Sequence, residues 1–143
     1  MSNHQPSFTW DAETGIAHCV LKYKPGIEFY GTAYCCAEDF DMMSEKTGCT
    51  IALMRAEIEY YKHLRDNEIK PALAALKHLY SLLEINPNVD KNGYEINLVR
   101  RQIHQKELDL TVAQQMLTDE KQKLKTLIEE KEKFYQRIRA NRK

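Results

Sequence analysis

From residue 51 to 83, and again from 96 to 138, apolar side chains return every three or four positions. The two stripes meet at a cluster of turn formers, Asn86-Pro87-Asn88 and Asn92-Gly93. Such spacing puts one apolar edge along each of two helices, and a short polar connection sends the second back along the first. The first stripe runs Ile51, Met54, Ile58, Tyr61, Ile69, Leu73, Leu76, Leu79, Leu83, with steps of three and four except across Arg65. The second runs Ile96, Val99, Ile103, Leu110, Ala113, Leu117, Leu124, Leu127, Phe134, Ile138, with Lys106, Glu120 and Lys131 interrupting it. Arms over 44–85 and 95–139 contain 42 and 45 residues. At about 1.5 Å per residue they measure roughly 63 and 68 Å, so a coiled-coil-like antiparallel hairpin is expected. Pro71 lies inside the first arm, where it removes a backbone bond and clashes with the preceding turn. The expectation there is a kink near residues 67–70 or two abutting helices.

The first 41 residues read differently. Ser7-Phe8-Thr9-Trp10 has strand character and runs into Asp11-Ala12-Glu13-Thr14-Gly15, where Asp starts a turn and Gly supplies the positive φ that closes it. Residues 16–24 then alternate Ala17, Cys19, Leu21, Tyr23 against Ile16, His18, Val20, Lys22. Pro25-Gly26 turns the chain into a third strand over 27–34. The fold class is therefore α+β: a three-stranded antiparallel meander over 1–41, then a helical hairpin over 42–143 packed on it as one structural domain. Asp41 and Ser44 are candidate caps for the first helix. Gly48 weakens its first turn by roughly 1 kcal/mol, which implies that something packs or binds closely there.

Lysines and arginines total 21 and balance 21 acids, but unevenly. Residues 1–41 carry two basic groups against six acidic, and 131–143 carry six basic against Glu132 alone. An antiparallel hairpin brings that basic tail beside the acidic sheet. No stretch is long and apolar enough for a membrane span and the N-terminus lacks a leader pattern, so a cytosolic protein is expected. Cys19, Cys35, Cys36 and Cys49 show no metal-ligand or disulfide spacing and read as reduced thiols. Because a pair of helices buries only a narrow seam, a homo-oligomer is expected.

Nothing reads as catalytic. Five histidines lack i, i+4 pairing, no nucleophile elbow or glycine-rich phosphate loop occurs, and acids beside Cys35-Cys36 disfavour a thiolate. No cofactor or metal site is implied. Binding chemistry has better candidates. Arg55 stands among apolar neighbours and either pairs with Asp39 or Asp41 or holds an anion at the helix start. Tyr30 and Tyr34 can stack on a base or simply pack. Arg137 and Arg139, with Arg142 and Lys143, can clamp phosphate or serve only as the favoured cations of a helix C-terminus.

Gly31-Thr32-Ala33-Tyr34-Cys35, Asp39-Phe40-Asp41-Met42-Met43-Ser44-Glu45-Lys46-Thr47-Gly48, Arg55-Ala56 and Phe134-Tyr135-Gln136-Arg137-Ile138-Arg139 resemble small accessory proteins of phages and prophages of Gram-positive bacteria. In size and in Arg-plus-aromatic content the chain is also similar to phage proteins of the Thoeris anti-defence type. The resemblance implies a non-enzymatic counter-defence protein in the bacterial host cytosol. Its expected action is to sequester a nucleotide-derived signal, with Tyr30, Tyr34, Asp41, Arg55, Arg137 and Arg139 as ligand-binding residues. The alternatives are direct inhibition of a host defence protein and nucleic-acid binding through the basic tail, which zero net charge disfavours.

Overall fold

A computed structural model of the chain describes residues 5–34 and 45–141. The architecture is α+β, with three antiparallel strands followed by long helices. The strands are β1 (Pro6–Asp11), β2 (Ile16–Lys24) and β3 (Ile27–Tyr34), in the spatial order β1-β2-β3. The helices are α1 (Glu45–His63), α2 (Lys70–Ile85) and α3 (Tyr94–Asn141), with a π-helical turn, Leu64–Ile69, between α1 and α2. They divide the chain into two compact units, Met1–Tyr60 with Thr118–Lys143, and Tyr61–Leu117. The division falls within the helices.

In the first unit, local chemistry makes the meander. Asp11 Oδ1 accepts from the Glu13 and Thr14 amides at 2.9 and 3.3 Å, and Gly15, at φ 70°, returns its N–H to the Asp11 carbonyl at 2.8 Å. Gly26 turns the second hairpin at φ 82°. The pleat then sorts side chains by period two. Ala17, Cys19, Leu21, Phe29 and Ala33 face inward and are buried, while His18, Val20, Tyr30 and Tyr34 face outward. Ala52 and Ala56 of α1 and Tyr135 of α3 close the core over that inner face, with Leu124, Leu127 and Ile128 packed around it. Tyr23, Phe29 and Tyr60 join β2, β3 and α1 through edge and tilted ring contacts with centroids 5.2 to 6.2 Å apart.

The approach of α1 to β3 depends on small residues. A Cβ added at Gly31 would land on the Ala52 carbonyl oxygen and 2.6 Å from the Ala56 amide nitrogen. Gly48, Ala52 and Ala56 repeat every four residues and are all buried. Gly48 thus shares the helix face of the two alanines. The candidate cap residues Asp41 and Ser44 lie outside the described residues.

The second unit is an antiparallel helix pair. Lys77 Nζ meets Glu107 Oε2 at 3.8 Å, and Arg100 Nε donates to the Tyr80 hydroxyl at 3.0 Å. At the expected turn, Lys91 Nζ donates to the carbonyls of Leu83, Asn86 and Val89 at 3.2, 2.6 and 3.0 Å, capping the negative end of α2.

Pro71 stands in the first turn of α2, directly after the π-helical turn. Helical dihedrals continue through Ile69 and Lys70, and the Lys70 N–H bonds to the Arg65 carbonyl, a five-residue span. The stripe steps Tyr61, Arg65, Ile69, Leu73 take twelve residues for three turns, where an α-helix holds about eleven. The π-helical turn absorbs the extra residue.

Two stripe positions differ from expectation. Tyr135 is buried and Phe134 is 47% exposed; Tyr80 is half-buried and Leu79 is 43% exposed. Seven residues turn an α-helix about 20° short of two full turns. The lag accumulates along α3 until the position after the seventh takes the inner place. In α2, two successive steps of three would swing Leu79 about 120° off the line that Leu73 begins, whereas Tyr80 returns to it.

Candidate functional site

The sheet's outer face is the most distinctive surface of the first unit. Pairing sets Ile16 opposite Tyr34, His18 opposite Thr32, Val20 opposite Tyr30 and Lys22 opposite Glu28. His18 Nδ1 and Thr32 Oγ1 share a 3.0 Å hydrogen bond, and the imidazole stacks on Tyr30 with centroids 5.9 Å apart and planes at 19°. Tyr30 donates its hydroxyl proton to Glu28 Oε1 at 2.8 Å, and that bond to a carboxylate raises the phenol's pKa. Tyr30 and Tyr34 are nonetheless 54% and 64% exposed. This is an exposed face of aromatic and β-branched side chains on which the Tyr30 and His18 rings are held in place, suited to stacking and apolar contact.

The proposed ligand residues do not gather around it. Arg55 rises from α1 on the opposite side of the sheet, where its Nη1 donates to the Thr32 backbone carbonyl at 2.6 Å. β3 is an edge strand, so the guanidinium satisfies an edge carbonyl. Arg137 lies on α3, with Lys133, Gln136 and Ala140 lining a concavity of about 450 Å³. Arg139 pairs with Glu132 at 3.7 Å. Thus Tyr30 and Tyr34 share the outer face, while Arg55, Arg137 and Arg139 stand on the helical side. Asp41, and the Asp39 or Asp41 partner expected for Arg55, lie outside the described residues, as do Cys35, Cys36, Arg142 and Lys143.

His18 and Thr32 complete the outer face, and their strand alternation was the signal that could have found them. Glu57 was missed altogether. It sits between α1 and α3 in contact with Glu120, and its pKa is pushed up to about 7, first by burial and then by the Glu120 carboxylate, against the pull of Lys123. Burial pushes the Cys19 thiol up to about 11, so it is a packed side chain with no thiolate character.

Among the described residues, no three His, Cys, Asp or Glu side chains form a group able to hold a metal ion. None of the described helices is long and apolar enough to cross a membrane. No protein-family model, no curated protein and no solved structure matches the chain.

Proposed function

We propose that the chain is a non-enzymatic accessory protein that binds a macromolecular partner through the outer face of its sheet. Its resemblance to phage-borne proteins makes a bacterial defence protein the target class, and its action that of a counter-defence inhibitor. One observation carries this reading: Tyr30 and Tyr34 stand exposed on a face where Glu28, His18 and Thr32 already fix the neighbouring side chains. Rigid, oriented aromatic rings lose little entropy on binding and are favoured as anchors of protein interfaces.

The test is phage plating on cells that carry individual defence systems and express either the parent chain or the Tyr30→Ala/Tyr34→Ala variant. Plating restored by the parent and reduced at least about tenfold by the variant, with circular dichroism unchanged, supports the reading. Restoration in no strain, or equal restoration by both proteins, overturns it.

Sequestration of a nucleotide-derived signal is the second reading. It is favoured by the concavity beside Arg137, where Lys133 adds a second cation to a space of about 450 Å³. Calorimetry with cyclic and ADP-ribose-type nucleotides tests it, because phosphate held there requires Arg137→Ala to weaken binding.

A further inference from the structure

Helix α2 carries formal charge only at Lys70, Lys77 and Glu84, positions seven apart that form one line. Lys77 meets Glu107 there, so this line flanks the seam between α2 and α3 on one side. The rest of α2 is apolar or uncharged, yet within the chain only Leu73 is fully buried. Ala74, Ala75, Leu79 and Leu82 are exposed, the two leucines by 43% and 48%. A helix that is apolar nearly all round belongs inside a protein interior.

With Leu73, Leu76, Tyr80 and Leu83 along the seam, Ala75, Leu79 and Leu82 fall on the flank opposite the Lys77–Glu107 pair. Helix periodicity puts Gln102, Gln105 and Asp109 on the corresponding flank of α3. Asp109 is engaged by Gln105 at 3.0 Å and Lys106 at 3.8 Å. One side of this helix pair thus carries an ion pair between the helices, whereas on the other the α2 half has no charge and the α3 half holds Asp109, already paired within its own helix.

We infer that this second face, centred on Leu79, docks against the same face of a second copy of the chain, completing a four-helix bundle around the two α2 helices. A self-pairing surface must not oppose like charges across its twofold axis, and this part of α2 has none to oppose. Its size also fits. Sixteen residues span about 24 Å, and two helices side by side are about 20 Å wide, a footprint near 480 Å² per copy. Two copies together approach the roughly 1,000 Å² at which specific interfaces begin. The partner-binding face of the sheet is a different surface, so this assembly stands independently of the proposed function.

Sedimentation equilibrium of the full chain over about a hundredfold range of concentration tests the inference. The expected mass rises from the 16.8 kDa of one chain to twice that value. Ala75→Arg, a helix-compatible change at an exposed position, and Leu79→Glu/Leu82→Glu are each expected to hold the protein monomeric with helical content unchanged. Tyr30→Ala/Tyr34→Ala is expected to leave it dimeric. A parent chain monomeric throughout, a dimer that survives Ala75→Arg, or a dimer lost with the tyrosines overturns the inference.

Discussion

Arg55 ties the first helix to the sheet by donating from Nη1 to the main-chain carbonyl of Thr32, 23 positions earlier, at 2.6 Å. The acceptor belongs to the edge strand β3 and the donor is part-buried. Removing the guanidinium takes a charged donor from this part-buried carbonyl, which costs about 1 to 3 kcal/mol. Arg55→Ala is therefore expected to lower the midpoint of urea unfolding, with Arg55→Lys intermediate. Unfolding of Arg55→Ala at the parent midpoint would show that the bond does not anchor the helix.

Two glycines in the same unit separate conformational from steric demand. Gly26 has φ +82° and nothing within 4 Å of an added Cβ, so Gly26→Ala meets only backbone strain, about 1 kcal/mol. An alanine at Gly31 collides with the main chain of α1 at Ala52 and Ala56, atoms that move only if the helix moves. Gly31→Ala is expected to cost about 3 kcal/mol or more and to loosen the contact between α1 and the sheet. Chemical unfolding of both variants checks the order, and equal losses would contradict the close approach.

Which of these features the sequence displays follows from how local each one is. The Asp11 turn, the positive φ of Gly15 and Gly26 and the inward set Ala17, Cys19, Leu21 depend on neighbours within a few residues. All are readable from turn chemistry and alternation. Gly31 and Arg55 are not, because their partners are main-chain atoms brought up by another element, and no side-chain pattern marks a carbonyl. The candidate site divides the same way. Exposure of Tyr30 and Tyr34 follows from strand parity, but their separation from Arg55, Arg137 and Arg139 follows from which side of the sheet the helices cover. At Arg65 the interrupted stripe was the visible sign of the π-helical turn, although Pro71 drew the expectation toward a kink or two abutting helices.

That turn predicts a non-additive pair of changes. Deleting Asn67 removes the surplus residue and makes the arm regular, but a regular helix drives the Pro71 ring against the carbonyl four residues earlier, at a cost of about 3 kcal/mol. The Asn67 deletion is therefore expected to be strongly destabilising alone, and Pro71→Ala near neutral alone. Combined, they should recover most of the lost stability, a coupling that thermal unfolding of the three variants measures directly. Simple addition of the two effects would mean that the wide turn does not accommodate the proline.

Glu57 predicts how the fold responds to pH. In the folded chain its carboxyl is raised from 4.5 to about 7 by burial and by the adjacent Glu120, so folding favours the protonated form. Below about pH 4.5 both folded and unfolded chains hold the proton, and the group imposes no penalty. Between about 4.5 and 7 the unfolded chain releases it first, and stability falls as pH rises, the opposite of the usual paired carboxylate. Glu57→Gln imitates the protonated side chain and keeps a donor for Glu120. It is expected to match the parent near pH 4 and to exceed it at pH 8 by about 1 kcal/mol, a value reduced for a side chain still half open to solvent. Urea unfolding of both proteins at the two pH values measures the difference. A variant less stable than the parent at pH 8 would mean that the ionised pair is held by compensating charge, to which Lys123 contributes.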